Sequence, residues 1–395
     1  MSQSLIYLDN NATTRPDPRV VDAMLPFLRE HYGNAASRSH AFGWAAESAV
    51  ETARKQVAAL IGADPREIVW TSGATESDNL ALKGVAETYA AQGDHVVTVA
   101  TEHKAILDTA HHLERQGKRV TILPVDSHGL IDLNQLQDAM TDRTVLVSVM
   151  LGNNEIGTVQ PIAEIGRTCR ERGILFHTDA TQGTGKISVD VGAMSVDLLS
   201  LSAHKIYGPK GVGALFVRRR NPHVRLAIQM DGGGHERGMR SGTLNVPGIV
   251  GFGAAAELCR QEMPSEAPHT KALRDRLQEG LQAGLDGILL NGHPTERLPG
   301  TLNVCLEGID ADALQVAVPE LAVSAGSACT SASITPSHVL KAIGRTDAQA
   351  RSSLRFSLGR FTTEAEIEAV IHSVVRAASR LRVLSPVPQR QGVLV

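Results

Sequence analysis

The sequence predicts an α/β protein organised around a mostly parallel sheet. Short apolar runs rich in Val, Ile and Leu alternate with amphipathic helical stretches through the first two-thirds of the chain. The runs are almost continuously apolar, as strands covered on both faces must be, whereas a half-exposed strand would alternate. Helix-sized segments or glycine turns separate them, the spacing that parallel crossovers need. At 395 residues the chain exceeds one ordinary core, so two or three domains are expected.

Residues 67–70 read as the first strand of this series and lead into Thr71-Ser72-Gly73-Ala74-Thr75, then a helix over 76–89. A strand over 94–100 and a helix over 105–116 follow. Further strands are expected at 120–125, 145–150, 174–177, 197–201 and 213–217. From residue 254 to 281 the texture changes to long helices, with a break expected at the Pro- and Glu-containing stretch 263–268. Beyond lies a sparsely stranded region with one strand over 300–305, and helices over 363–381. A boundary near 255 gives a large domain over 16–255 and a smaller α+β domain formed by 1–15 and 256–395. The tail 385–392 is expected to be poorly ordered.

Composition excludes several functions. A hydrophobic share of 42% with 21% charge is ordinary for a soluble globular chain. A net charge of −3 sets up no field toward nucleic acid or an acidic membrane, and 3% aromatics leave few stacking platforms for single strands. The N-terminus lacks a basic region followed by a long apolar run, and no apolar stretch approaches bilayer thickness. Cys169, Cys259, Cys305 and Cys329 are widely spaced with no C-x-x-C, which argues against a disulfide scaffold or structural zinc. A cytoplasmic protein that meets neither nucleic acid nor membrane is expected.

Ligands bind open parallel sheets at the carboxyl ends of the strands. Here Asp179 follows one buried strand, and Ser202-Ala203-His204-Lys205 ends the next. A lone lysine past a strand end is usually a surface residue. Together with an acid on the neighbouring strand it acquires a use: a Schiff base with an aldehyde cofactor whose pyridinium nitrogen the acid holds protonated. Backbone donors at Gly73-Ala74-Thr75, the Thr75 hydroxyl, Ser202 and His204 would cradle that cofactor's phosphate, although an ordinary helix cap would look the same in sequence. The run Thr181-Gln182-Gly183-Thr184-Gly185-Lys186-Ile187 imitates a nucleotide phosphate loop but lacks the hydroxyl residue after the lysine and the upstream glycine.

Several longer motifs then resemble the cysteine desulfurases, class-V aminotransferase relatives. They include Tyr7-Leu8-Asp9-Asn10-Asn11-Ala12-Thr13-Thr14, the segment 71–79, Asn153-Asn154-Glu155-Ile156-Gly157, His177-Thr178-Asp179-Ala180-Thr181-Gln182 and the Lys205 segment. The segments 234–243, 326–331 and 351–357 join them, in family order. The short stretch after Cys329, running into Thr335-Pro336-Ser337-His338, is similar to the iron–sulfur and nitrogenase-type subgroup.

The resemblance implies a pyridoxal-phosphate transferase of fold type I, aspartate-aminotransferase-like, with a mostly parallel seven-stranded sheet and a homodimer whose sites lie at the subunit interface. It implies that Lys205 carries the cofactor and then moves protons, that Asp179 meets the pyridine nitrogen, and that Gln182 bonds the phenolic oxygen. His103 would stack on the ring and assist proton transfer. Ala74, Thr75, Ser202, Ala203 and His204 would surround the cofactor, with Thr243 reaching in from the other subunit. Asn154 and Arg355 would hold the substrate carboxylate, Asn154 also touching the cofactor, while Arg240 and Arg351 are expected to be structural or solvated. Cys169, Cys259 and Cys305 fall in helix and strand patterns, as small core residues do. Cys329 alone lies in a run of small polar residues, expected to be mobile, and would take sulfur from L-cysteine as a persulfide, leaving alanine. The acceptor would be a protein such as an iron–sulfur scaffold. No metal of its own is expected, although Cys329 could transiently share a cluster with that scaffold. A transaminase or lyase of the same fold, with Cys329 incidental, is the competing reading.

Overall fold

A computed structural model describes residues 5–325 and 336–384. Cys329 and the tail 385–392 lie outside the described residues. Strand β1 (Ile6–Tyr7) opens the chain, and helices α1 (Pro18–Arg29) and α2 (Ala41–Leu60) follow. The large sheet comprises β2 (Ile68–Thr71), β3 (His95–Val99), β4 (Arg119–Leu123), β5 (Thr144–Ser148), β6 (Leu175–Asp179), β7 (Leu198–Ser202) and β8 (Gly213–Val217). Their order is β2-β8-β7-β6-β5-β3-β4. Only β8 runs against the rest, so the other strands deliver their carboxyl ends to one edge. All seven expected runs are strands, and Asp179 is the last residue of β6 rather than the first beyond it.

Both faces of the sheet are covered, which is why the strands read as uninterrupted apolar runs. Val97, Val147, Phe176, Leu199 and Phe216 pack one way with α2, α6 (Ile162–Glu171) and the first part of a long helix, α7. Val69, Val96, Leu175, Leu198 and Leu215 pack the other way with α3 (Ala74–Thr88) and α4 (Lys104–Arg115).

Helix α7 corrects the expected break. It runs unbroken from Val246 to Gly284, 39 residues, through Pro264 and Pro268. The two prolines are four residues apart and both exposed, so the carbonyls they leave unpaired face water. On the other side Glu262 and Glu266 hold the helix to Arg360, at 3.4 and 2.9 Å. The apolar core changes hands along this one rod. Phe252, Ala255, Ala256 and Cys259 join the large sheet's cluster, whereas Leu273, Leu277 and Leu281 join a second one.

That second cluster lies under a four-stranded antiparallel sheet ordered β12-β13-β10-β9. Its strands are β9 (Ile288–Asn291), β10 (Thr301–Leu306), β12 (Ser324–Ala325) and β13 (Ser353–Ser357), while β11 (Leu321–Ala322) pairs with β1. Of these, only β10 was anticipated. The helix Glu364–Leu384 and the N-terminal Ile6 and Leu8 complete the cluster, so the first residues of the chain pack with the last third. No helix among the described residues is long and apolar enough to cross a membrane.

Candidate active site

The carboxyl ends of the parallel strands surround a cavity of about 510 Å³. Ala74, Thr75, His103, Asn154, Asp179, Gln182, Ser202, His204 and Lys205, all expected site residues, line it. Ala203 does not. It is fully buried, and its carbonyl closes the turn that follows by accepting from the Ile206 and Gly208 amides. Thr243 is exposed in the single chain and outside the cavity.

Strand β7 ends in a 3-10 turn, Ala203–Lys205, and Tyr207 follows with φ 66°, a left-handed conformation that a bulky residue adopts only when held. The Tyr207 hydroxyl donates to Glu266 at 2.9 Å and accepts from the Arg360 amide at 2.7 Å, which fixes the turn and therefore Lys205. Lys205 Nζ donates to the carbonyls of Asn11 and Ala12, at 2.6 and 2.7 Å. This N-terminal strap is the part of the site that the sequence reading left without a role.

The phosphate end is built on α3. Its N-cap is Gly73, with no side-chain cap, so the first amides of a 15-residue helix are left for a ligand. A β-carbon at Gly73 would meet nothing within 4 Å, and Gly73 borders the cavity. Ser202 and His204 stand nearby on the cavity wall with Lys210. Burial and then Lys205 lower the His204 imidazole to about 4, so it is neutral, and its Nδ1 pairs with the Thr13 hydroxyl at 3.1 Å. Arg240 pairs at 2.8 Å with Glu76, which lines the cavity.

The opposite end is acidic. Asp179 accepts from the Thr181 amide at 2.9 Å and lies beside two deeper carboxyls, Asp78 and Glu102, both fully buried. Burial first, then the charge of Asp179, push both well above the usual carboxylate range. Beneath them His177, lowered to about 3 by burial, is held neutral between the hydroxyls of Ser148 and Ser200, at 2.9 and 3.0 Å. Asp179 is thus flanked by two carboxyls pushed toward their neutral form and faces the cavity, an arrangement suited to a cationic ring nitrogen.

His103 is the N-cap of α4, and its Nδ1 accepts from the Ala105 amide at 3.1 Å. The neutral ring therefore carries its proton on Nε2. Burial lowers its pKa, with Lys205 and His338 opposing any gain from Asp179. Gln182 donates through Nε2 to the Asn11 carbonyl at 2.8 Å. Arg355, on β13, is buried outside the cavity wall. It donates to the Asn154 carbonyl at 2.9 Å and to Asp9 at 2.6 Å, and among the described residues its Nε has no partner. Asn11, Ala12, Asp78 and Lys210 also line the cavity without having been anticipated as site residues. The motif 7–14 was the only available signal for the first two.

An uncapped helix start, a lysine on the next wall and an acid at the far end fit pyridoxal phosphate. Residues 6–370 match the family described as aminotransferase class-V. Cysteine desulfurase IscS of Anaeromyxobacter sp. (strain Fw109-5) is 59% identical over 98% of this chain and 96% of the relative. IscS of Klebsiella pneumoniae (strain 342) is 56% identical over 98% and 96%. Among solved structures, a NifS-like protein superposes with a TM-score of 0.88 at 39% identity, covering 95% of this chain and all of that one. SspA in complex with cysteine gives 0.80 at 39% identity over 90% and 99%. By these measures the chain belongs to the class-V aminotransferase family, among its cysteine desulfurases.

Proposed function

We propose that this chain is a cysteine desulfurase that holds pyridoxal 5′-phosphate on Lys205 and passes sulfur from L-cysteine to the thiol of Cys329. The observation that carries the cofactor half is the convergence of Lys205, Asp179 and the uncapped start of α3 on one cavity. The relatives named IscS, and the SspA structure containing cysteine, support the substrate. When bound, the cofactor supplies an electron sink that lets the bonds at the substrate's α- and β-carbons break.

The protein's residues would divide the remaining work. Ala74 and Thr75 amides, the Thr75 hydroxyl, Ser202 and His204 would take the phosphate, with Thr243 contributed by a second copy. Asp179 would hold the ring nitrogen's proton and Gln182 would donate to the phenolic oxygen. His103 would lie on the ring and hold a proton at Nε2. Lys205, freed by the incoming amine, would carry the α-proton. Asn154 and the free edge of Arg355 would hold the carboxylate.

The Cys329 thiolate would attack the substrate sulfur, forming an S–S bond as the carbon–sulfur bond breaks. The electron pair stays on carbon, which gains protons and leaves as alanine. A homodimer in a cytoplasmic setting is part of this reading. Phe42 and Trp44, 49% and 55% exposed, support a covered face, and the free, buried Cys169, Cys259 and Cys305 support a reducing compartment. Delivery of the sulfur to a protein such as an iron–sulfur scaffold completes this reading.

Incubation with L-cysteine should add one sulfur atom to the peptide carrying Cys329, as read by mass spectrometry, and release alanine. Cys329→Ser should abolish both sulfur transfer and alanine release. Undiminished sulfur release from that variant would overturn the assignment.

A further inference from the structure

The segment that imitates a phosphate loop has a purpose that the roles above leave out. Lys186 is partly buried, and its Nζ donates to Gln182 Oε1 at 2.9 Å and to Asn11 Oδ1 at 3.4 Å. Gly185 makes this reach attainable. Its φ is 74°, and a β-carbon there would come within 2.9 Å of Ile206 and 3.0 Å of the Cys259 sulfur.

A glutamine amide has two nearly isosteric orientations, and its surroundings choose between them. At Gln182 both ends are specified. The Asn11 carbonyl can only accept, so it takes Nε2–H at 2.8 Å. The charged lysine can only donate, so it takes the oxygen. One Nε2–H remains for the cavity that Gln182 lines. We propose that Lys186 is a positioning residue that locks the Gln182 amide so that a donor, not an acceptor, meets the cofactor's phenolic oxygen.

The proposal rests on the cofactor assignment above. Burial and the neighbouring Lys205 lower the Lys186 ammonium to about 7, but the neutral amine keeps N–H donors, so the contact survives deprotonation. An N–H on the phenolic oxygen draws charge from it and so makes protonation of the adjoining lysine–cofactor nitrogen less favourable. Without Lys186 only the Asn11 carbonyl still selects the amide's orientation, so the donor is held less firmly on the phenolic oxygen and that protonation should strengthen.

The test is a pH titration of the near-visible absorption band of the holoprotein. Lys186→Met should move the transition to higher pH by about one unit, a tenfold change in proton affinity. Lys186→Arg, which keeps the donor, should return it toward the parent. In a Gln182→Leu background, Lys186→Met should add less than about a twofold change, because its effect passes through that amide. An unshifted Lys186→Met protein, or a shift that persists undiminished without Gln182, would overturn the proposal. Where Lys186→Met fails to fold, Lys186→Gln, too short to bridge, carries the same expectation. Borohydride fixation followed by peptide mapping separates the two claims. Failure to fix the cofactor to Lys205 in the parent protein refutes the cofactor assignment, whereas fixation with an unshifted titration refutes only the role of Lys186.

Discussion

Replacing Glu236 by alanine should loosen the segment that carries Arg240 and Thr243. Glu236 is 7% exposed and accepts from Arg54 at 2.7 and 2.9 Å and from the Trp70 amide at 2.8 Å. Trp70 belongs to β2, an edge strand, and Arg237 covers the same edge by donating to the Ile68 carbonyl. Breaking a buried pair by removing one partner costs about 3–5 kcal/mol. Arg54 keeps Glu51 at 2.9 Å and the Ile68 carbonyl at 2.8 Å, which places the cost near the lower bound. Alanine gives no relief at position 236, where φ is 49°. At 1.4 kcal/mol per decade, about 3 kcal/mol corresponds to roughly a hundredfold rise in opening of the segment. Amide hydrogen exchange of the peptide 229–245 measures this directly. Exchange within about threefold of the parent would refute the reasoning. The double variant Arg54→Met, Glu236→Leu should recover most of the protection, because it removes both buried charges. A double variant as loose as the single would show that the ion pair is not what holds the segment.

Two further outcomes are expected. Asp78 is raised in the fold by burial and then by Asp179, so between its unfolded pKa of about 3.9 and its folded value the native state binds the extra proton and stability falls as pH rises. Asp78→Asn removes that slope. Its urea midpoint in the cofactor-free protein should gain on the parent from pH 5 to pH 8, by up to about 1.4 kcal/mol per unit, and an advantage that does not grow would mean that Asp78 is ionised. Thr75→Val keeps shape and removes a hydroxyl from the cavity wall, so if Thr75 serves the phosphate as proposed, affinity for pyridoxal phosphate should weaken by about tenfold or more, with folding unaltered. Fluorescence titration of the cofactor-free protein measures it, and parent-like affinity would remove Thr75 from the phosphate set.

Much of the seven-stranded sheet was legible because its signal is local. Six of its strands, all but the edge strand β4, are buried at every position, so their burial is written into consecutive residues. Strand ends in a parallel sheet must converge, and by that rule the sequence alone places Asp179, Lys205, Ser202 and Gly73 at one edge. The four-stranded sheet was mostly missed. β12 has two residues and β13 has five, short segments; β13 pairs with β12 on one side and on the other with β10, about fifty residues earlier in the chain, which no local periodicity records. The prolines of α7 misled for a related reason. Their usual effect is to break a helix, but here they lie on its exposed side while Arg360 pins the other.

The sequence alone determined which residue types stand at the strand ends, and with them a lysine, an acid and an anion-binding helix start. The tertiary structure decided their partners. It drew Asn11 and Ala12 across to Lys205, set Asp9 against Arg355, turned Gln182 through Lys186 and buried Asp78 and Glu102 beside Asp179. Burial patterns repeat every two or about four residues and are carried by neighbours in the chain. A hydrogen-bond partner or a charge's surroundings are fixed by segments that meet across the fold, as when residues 9 and 355 come within 2.6 Å, and only the packed molecule specifies those meetings.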